Sequence, residues 1–457
     1  MNDLKPTVMK FGGTSVQDAE AFARVAEIVA GEMENSPVVV TSAMSKVTDA
    51  LLFAFETAKK GDVESAIESL EPHFQRHTIV SVELTDEAQQ KAFQTELYFA
   101  KNELKDLLTR VSRRSLPLSM LKDAVVSYGE QLSSRLLTFV CQAKHLNARH
   151  ADSRRLIVTD DEYGSAAPIW DETERFIQLE LQSSINKGEI PVMGGFIAAS
   201  RSGETTTLGR GGSDYSAALV GAALKAREIQ IWTDVTGVLT CDPRICPEAR
   251  TLKTLSYEEA AELAYFGAKV LHPKTIQPAV DLQIPVRVCN SHQPAEKGTM
   301  ILPSSQTTTR LVKSIAYKKG ITILHITSAR MLGAFGFMSA IFQIFERHRT
   351  VIDVVTTSEV SVSLTLDNTD SLEAVVKDLQ RIAAVEIERD QAVICVVGSG
   401  LRDTSGVAAK IFTAISDFNI SLISHGASSV NMTFVVEENA VKEVIKKLHD
   451  EFFNQKN

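Results

Sequence analysis

The chain has 457 residues, a length that predicts two to four folding units and excludes a single small module. Hydrophobic residues make up 44% of the chain and charged residues 23%, which is the composition of a folded globular protein and excludes a disordered one. The formal net charge of -9 argues against nucleic acid as a partner.

The first part of the chain alternates β-rich runs with helical ones. TVMKF at 7–11 is typical of a buried strand, GGTS of a tight turn, and the segment from Phe22 to Ala30 of an amphipathic helix. Four further β-rich runs lie beside glycine or a helical stretch: SPVVVTSAM at 36–44, IPVMGGFIAAS at 190–200, REIQIWTDV at 227–235 and IPVRVCN at 284–290. The alternation predicts an α/β fold with a largely parallel sheet covered by helices.

Two stretches break this alternation. Residues 63–140 carry Leu, Ala, Glu, Gln and Lys at helical spacing and predict a helical insertion. Residues 292–306 collect Pro, Gly and Ser without a clear period, which is typical of a connection between domains. We therefore expect one domain over 1–305 and a second region over 306–457.

The second region contains an internal repeat. Residues 336–366 align without gaps on 406–436, at an offset of 70 residues, with Gly336 on Gly406. Each copy predicts a glycine, an amphipathic helix, a strand, a Ser-containing turn and an alternating strand, and a β-rich run precedes each copy. Two related α/β modules, around 320–390 and 391–457, are expected.

A first glycine cluster follows the first predicted strand. Lys10 ends the strand, and Gly12 and Gly13 open the next segment. A cation beside approachable backbone N–H groups favours phosphate. A structural turn with a surface lysine is the alternative interpretation.

A second glycine cluster, TTTLGRGGSD at 205–214, precedes a predicted helix. Its backbone, the guanidinium of Arg210 and the carboxylate of Asp214 could converge on a small charged ligand. Ser213 or Asp214 could instead cap the helix, which would not explain the Gly-Arg-Gly-Gly run.

Charged residues also follow later strands. Asp234 ends one β-rich run, Asp242 and Arg244 follow it, and Lys269 lies in FGAKVLHP. Ligands of open α/β sheets bind at the carboxyl ends of strands, so these residues could converge. The P-loop motif and the catalytic-loop motif of protein kinases are both absent, so phosphoryl transfer would use another scaffold.

Membrane and metal signals are weak. No apolar run is long enough to span a bilayer and the N-terminus does not resemble a signal peptide, so we expect a cytoplasmic protein without a membrane partner. The five cysteines are scattered; Cys241 and Cys246 have no second pair at zinc-site spacing and are interpreted as reduced thiols. His73 and His77 are interpreted as surface histidines, and no protein-built metal site is assigned.

The clusters together resemble the aspartokinase branch of the amino-acid kinase family over essentially the whole chain. The motifs that carry the resemblance are, in order, KFGGTSV at 10–16, TTTLGRGGSD at 205–214, WTDVTGV at 232–238, DPR at 242–244 and FGAKVLHP at 266–273. The resemblance implies a three-layer α/β/α kinase domain that makes 4-phospho-L-aspartate from L-aspartate and Mg-ATP. It also implies that the repeated modules are ferredoxin-like ACT domains, which sense amino acids. Their order with TTSEVSVSLTLD at 356–367 most resembles the lysine-inhibited, monofunctional subclass. Since about 20 residues follow the second copy, we expect no homoserine dehydrogenase domain.

By the same resemblance, each site residue has an implied role. Lys10, Asp214 and Lys269 would be catalytic. The residues implied to line the aspartate pocket are Thr48, Glu130, Phe196, Arg210 and Ser213. Those implied to bind the nucleotide are Lys10, Gly12, Gly13, Thr233, Asp234, Asp242, Arg244 and Lys269. Those implied to bind lysine as an effector are Met331, Gly336, Phe337, Asp353, Ser358 and Glu359.

The sequence also leads to an expectation about the oligomeric state and leaves two other functions open. ACT-like modules usually pair across chains, so a homodimer or a dimer of dimers is expected. Two other functions remain open: another carboxylate kinase such as a glutamate 5-kinase, and an amino-acid sensor that keeps the fold without catalysis.

Overall fold

The computed structural model describes residues 5–266, 273–304, 311–333 and 335–454. These residues form two compact units. The first comprises residues 5–238, Lys253–Tyr257 and 273–304, and the second comprises Leu239–Leu252, 258–266 and the described residues from 311 onward. The domain boundary predicted near residue 305 lies outside the described residues.

Two sheets form the frame of the first unit. Its strands are β1 (Thr7–Phe11), β2 (Val38–Thr41), β3 (Ala148–Ala151), β4 (Val158–Thr159), β5 (Ile190–Gly194), β6 (Ile197–Ser200), β7 (Thr205–Thr207), β8 (Glu228–Thr233), β9 (Thr254–Ser256), β10 (Val286–Asn290) and β11 (Thr299–Leu302). The main sheet has the order β3-β5-β2-β1-β8-β10-β11-β9, and β4, β6 and β7 form a small second sheet. In the main sheet only the β10–β11 pair is antiparallel. The prediction of a largely parallel sheet is confirmed.

Helices cover this sheet because its strands are apolar on both faces. Every residue of β2 is buried, as in parallel sheets with helices on each side. The helices of this unit are α1 (Ala19–Gly31), α2 (Val47–Lys59), α3 (Val63–Glu68), α4 (Glu71–Leu84), α5 (Glu87–Arg113), α6 (Leu118–Val126), α7 (Tyr128–Ala143), α8 (Trp170–Ile177), α9 (Ser183–Asn186), α10 (Gly212–Ala223) and α12 (Gln277–Asp281); α11 (Tyr257–Tyr265) belongs, apart from Tyr257, to the second unit. Helices α3 to α7 occupy the stretch for which the sequence predicts a helical insertion.

Capping and burial explain the helix positions. Asp18 caps α1 by accepting a hydrogen bond from the amide of Ala21, and Asp86 begins the long helix α5 in a capping box. One expectation is wrong: His77, interpreted from the sequence as a surface histidine, is fully buried on the inward face of α4. Its ring Nδ1 lies 2.8 Å from the carbonyl of His73, and burial lowers the pKa of His77 to about 4.

The second unit contains one antiparallel sheet. Its strands are β12 (Val312–Thr327), β13 (Val355–Thr357), β14 (Ser361–Leu366), β15 (Ala384–Gly398), β16 (Leu422–His425) and β17 (Asn431–Glu437), and its further helices are α13 (Phe337–Arg347), α14 (Leu372–Leu379), α15 (Val407–Ala414) and α16 (Val441–His449). The strand order is β13-β14-β12-β15-β17-β16. Both repeat copies show the predicted glycine, helix, strand, turn and strand.

The two modules share their long strands. The first part of β12 pairs with the last part of β15, whereas the end of β12 pairs with β14 and with the start of β15. The register shifts near Gly320, where φ is +74°, and Asp390, where φ is 56°. The strand before the first copy therefore also contributes to the module of the second copy. No helix among the described residues is long and apolar enough to cross a bilayer.

Candidate active site

A polar cavity of about 430 Å³ opens in the first unit, beyond the carboxyl ends of β1 and β2. This is the edge of a parallel sheet at which ligands bind. Eight of the residues that the sequence singles out line the cavity: Lys10, Gly13, Thr48, Glu130, Phe196, Arg210, Ser213 and Asp214. The fold thus brings together residues that lie far apart in the sequence.

Lys10 and Asp214 form an ion pair at the cavity wall. The Nζ of Lys10 lies 2.7 Å from Oδ1 of Asp214, and the two side chains are 13% and 16% exposed. Asp214 lies in the first turn of α10, whose N-cap is Gly211 in the left-handed region (φ 72°) without a side-chain cap. Asp214 therefore pairs with Lys10 and does not cap α10. The alternative interpretation of Asp214 as a helix cap is wrong.

The paired glycines after β1 differ from the prediction. The amide of Gly12 donates a hydrogen bond to the carbonyl of Trp232 (3.1 Å), so this N–H is already engaged. Gly13 opens a short 3₁₀ helix, Gly13–Val16, and not α1. Gly13 lies close to the loop that follows β2, because a Cβ added to Gly13 would be 2.9 Å from the carbonyl oxygen of Ala43 in that loop. The glycine pair thus serves close backbone packing as well as the cavity.

Glu130 is the most unusual carboxyl group of the cavity. It lies on α7 and is 4% exposed. Its Oε1 accepts a hydrogen bond from the amide of Ala43 (3.1 Å), whereas its Oε2 has no hydrogen-bond partner among the described residues. Burial raises the pKa of Glu130 to about 8, opposed by the Ala43 amide and by the charge of Lys10. A buried, half-satisfied carboxyl group is suited to a cationic ligand group.

The cavity lining also includes a cation and a constrained aromatic residue. Arg210 is exposed, and no carboxylate of the described residues pairs with it. Phe196 has a positive φ of 66°, and its amide donates to Oγ of Ser216 (3.0 Å). A Cβ on Gly212 would lie 2.7 Å from the Phe196 ring, so glycine is required where α10 begins. The glycine-rich motif therefore serves the approach of α10 to this loop.

The residues predicted to bind the nucleotide are distributed over both units. In the first unit, Thr233 ends β8, and its hydroxyl donates to the exposed carboxylate of Asp234 (3.1 Å). In the second unit, the amide and guanidinium of Arg244 donate to the carboxylate of Asp242, and the hydroxyl of Tyr317 donates to Asp242 Oδ2 (2.9 Å). The Arg244 side chain holds the pKa of Asp242 below its usual value. Lys269 lies outside the described residues.

Asp353, a predicted effector residue in the second unit, is held by two side chains that the sequence analysis missed. It is 3% exposed, it accepts a hydrogen bond from the hydroxyl of Tyr265, and Lys318 Nζ lies 3.8 Å from its Oδ1. Burial raises the pKa of Asp353. Tyr265 and Lys318 had no sequence signal because nothing in the local pattern of α11 or β12 indicates where these side chains meet.

The other predicted effector residues lie around α13 and the β13–β14 turn. Gly336 caps α13 with φ 80°, and Met331 and Phe337 pack against the core of the first module. Ser358 and the exposed Glu359 form the turn, and the hydroxyl of Ser358 lies 2.7 Å from that of Ser361.

Comparison with known proteins identifies the family. The model of the amino acid kinase family matches residues 5–290, and an ACT domain model matches residues 394–452. The lysine-sensitive aspartokinase 3 of Escherichia coli is 35% identical, over 98% of this chain and 99% of that protein. Aspartokinase 1 of Arabidopsis thaliana, a chloroplastic protein, is 38% identical, over 98% of this chain and 80% of that protein.

Solved structures agree with the sequence relatives. The crystal structure of E. coli aspartokinase III in complex with aspartate and ADP has a TM-score of 0.83 at 34% identity, covering 98% of this chain and all of that one. The structure of the same enzyme in complex with lysine and aspartate also has a TM-score of 0.83. The resemblance predicted from the motifs is thereby confirmed, and the chain belongs to the amino acid kinase family and, within it, to the aspartokinases.

Proposed function

We propose that this chain transfers the γ-phosphoryl group of ATP to the side-chain carboxylate of L-aspartate, giving 4-phospho-L-aspartate and ADP. This is the first step in the biosynthesis of lysine, threonine and methionine. One observation carries the proposal: a single cavity is lined by the Lys10–Asp214 pair, the exposed Arg210 and the half-satisfied carboxyl of Glu130. The E. coli relative solved with aspartate and ADP supports the same substrates.

The cavity offers one group for each charge of the amino acid. Arg210 would bind the α-carboxylate through its planar guanidinium, which a lysine could not replace equally. The free Oε2 of Glu130 would accept the α-ammonium group. Thr48, Phe196 and Ser213 complete the pocket. With both ends held, the side-chain carboxylate would face Lys10.

The reaction needs positioning and charge neutralisation more than proton transfer. The attacking carboxylate is ionised at neutral pH, so no general base is required, and the main barrier is charge on the transferring phosphoryl group. Lys10 would neutralise this charge, and Asp214 would keep its ammonium in place. Lys269 would act as a second cation. A preorganised cation of this kind contributes about 10²–10³-fold to kcat.

In the first unit, the nucleotide would bind through Gly13, Thr233 and Asp234. Asp242 and Arg244, which lie in the second unit, stay predictions from the resemblance. Mg²⁺ fits the residues of the first unit because it retains several waters and binds mainly through phosphates, so it needs few protein ligands. The carboxylates of Asp214 and Asp234 would hold it through water, and Mg²⁺ would supply neutralisation of the phosphate charge.

Lysine is proposed as a feedback inhibitor, as in the lysine-sensitive E. coli relative. Its side-chain ammonium would bind Asp353 or Glu359, and its carboxylate the backbone near Gly336. Because Tyr265 and Lys318 hold Asp353 in this structure, lysine would have to compete with both. Inhibition requires that lysine bind an inactive state more tightly than an active one. Glu359→Ala should raise the inhibitory lysine concentration without changing uninhibited kcat.

A homodimer or a dimer of dimers through the ACT region is proposed as the assembly. The second unit exposes large apolar side chains that a partner chain could cover: Leu332, Phe342, Val351, Val360 and Ile423. Light scattering after size-exclusion chromatography should give twice or four times the monomer mass of 50.0 kDa. A monomer at micromolar concentration would contradict the proposed assembly.

The experiment that tests the function is acyl-phosphate trapping with hydroxylamine, comparing L-aspartate with L-glutamate in the presence of Mg-ATP. Aspartate should give hydroxamate at least about tenfold faster, since one methylene is discriminated by about 1–3 kcal/mol. Faster trapping with glutamate would indicate a glutamate kinase. Absence of hydroxamate with both acids, from folded protein, would indicate a non-catalytic sensor.

A further inference from the structure

Two cysteines and a histidine meet in the interior of the second unit. Cys241 and Cys246 lie in the segment Leu239–Leu252, and His449 is the last residue of α16. The two sulfur atoms and a ring nitrogen of His449 all lie within 4.8 Å of one another, and all three residues are buried. No metal site was predicted from the sequence, because His449 lies more than 200 positions from the two cysteines.

Local backbone structure brings the cysteines together. The amide of Cys246 donates to the carbonyl of Asp242 (3.0 Å), which turns the chain back toward Cys241. The amide of Thr240 donates to the carbonyl of Arg250 (2.9 Å) and closes the base of the same loop. The two thiols are therefore positioned by a closed loop before any ligand binds.

The histidine is arranged as a metal ligand. His449 is fully buried, and its Nδ1 has no hydrogen-bond partner among the described residues. Its Nε2 lies 3.0 Å from Oγ1 of Thr240, an oxygen that also accepts a hydrogen bond from the Arg250 amide. Metal-binding histidines commonly donate their second ring N–H to such an oxygen, which leaves the other nitrogen free to coordinate. An apolar thiol pair in a core would not explain this unsatisfied ring nitrogen.

We propose that Cys241, Cys246 and His449 bind a soft divalent cation, and Zn²⁺ in particular. Thiolate and imidazole are the ligands that Zn²⁺ prefers, usually in a tetrahedral set of four. The cluster supplies three of these ligands, and water can supply the fourth. Binding releases the two thiol protons to solvent, and no oxidant or reductant is needed.

The bound ion would join two distant parts of the second unit. It would fix the loop between Cys241 and Cys246 to the end of α16, and this loop contains Asp242 and Arg244. The ion is therefore expected to raise the midpoint of thermal unfolding of the second unit, whether or not the protein is active.

The test uses the full chain, freed of metal and kept reduced, with Co²⁺ as the probe. Wild type should bind one equivalent and show a thiolate-to-cobalt charge-transfer band that Zn²⁺ abolishes. Cys246→Ser should weaken Co²⁺ binding by at least about tenfold. Cys289→Ser, which removes a buried thiol of β10 outside the cluster, is the matched control and should behave as wild type.

Three results would overturn the proposal. These are the absence of the charge-transfer band in wild type, an unchanged band in Cys246→Ser, and a Cys241–Cys246 disulfide in protein purified without reductant. If Cys246→Ser does not fold, X-ray absorption spectroscopy of zinc-loaded wild type identifies the atoms bound to the ion and thereby tests the site. Two sulfur atoms at about 2.3 Å and a nitrogen at about 2.0 Å are expected, and a shell of oxygen and nitrogen alone would refute the site.

Discussion

Glu130→Gln should make the protein more stable at alkaline pH. The carboxyl group of Glu130 is buried, and its pKa is raised from 4.5 to about 8. Between these two values the folded protein keeps a proton that the unfolded chain has lost, so wild-type stability falls as pH rises. Glutamine has nearly the same shape, can still accept the Ala43 hydrogen bond and does not titrate.

The size of the expected stability difference follows from the pKa shift of Glu130. Between the two pKa values the slope is about 1.4 kcal/mol per pH unit, and it is smaller close to each of them, so the wild type should lose about 3–4 kcal/mol relative to Glu130→Gln between pH 5 and pH 8. The two proteins should therefore have similar free energies of unfolding near pH 5, and the variant should be the more stable at pH 8. All other titrating groups are common to both proteins and cancel in the difference.

The assay is urea unfolding at several pH values, followed by tryptophan fluorescence. Both tryptophans, Trp170 and Trp232, lie in the first unit with Glu130, so the signal reports on the relevant structure. Parallel stability curves for wild type and variant across this pH range would refute the conclusion that Glu130 is held as a buried, half-satisfied acid. The same variant should bind aspartate more weakly, because the ammonium group of the ligand favours the ionised form of Glu130, and an amide cannot provide that charge.

Three further predictions concern the cavity and the effector region. Lys10→Ala should lower kcat by about 10²–10³-fold with unchanged circular dichroism; near-normal turnover would remove Lys10 from the site. Gly195→Ala should raise the KM for aspartate, because the new Cβ would lie 2.7 Å from the Cα of Ser213, and unchanged kinetics would show that this wall does not shape the pocket. Tyr265→Phe should lower the inhibitory lysine concentration about tenfold by freeing Asp353, and Tyr98→Phe, at an exposed position of α5, is the control. Unchanged or weaker inhibition in Tyr265→Phe would exclude Asp353 as the ammonium partner.

Sequence patterns within a single segment were enough to predict whether that segment forms a helix or a strand. Apolar runs such as TVMKF gave the strands, and their lack of alternation indicated a sheet buried on both faces. The glycines of the repeat were also interpretable, because Gly336 and Gly406 both adopt a left-handed conformation directly before a helix. Such features depend on local conformational preferences, which a sequence displays directly.

Features that depend on tertiary packing were not predictable. The amide of Gly12 donates a hydrogen bond to the carbonyl of Trp232, which lies 220 positions away in the sequence. Trp232 is brought there because it pairs with Phe11, the residue before Gly12, across β1 and β8. The sharing of β12 and β15 between the two modules depends on strand pairing, and the tandem repeat by itself indicated two separate units. The partners of Asp353 and the approach of His449 to the cysteines likewise arise only from long-range contacts.

We propose that the cavity lined by Lys10, Glu130 and Arg210 binds aspartate. The steady-state kinetics of Arg210→Lys, with aspartate and ATP varied separately, test this assignment. Lysine keeps the charge but loses the paired guanidinium contacts. We predict that the KM for aspartate rises at least about tenfold while the KM for ATP stays within about twofold of wild type, since a bond to a charged group contributes about 1.5–3 kcal/mol. An unchanged KM for aspartate in the folded variant would contradict the account.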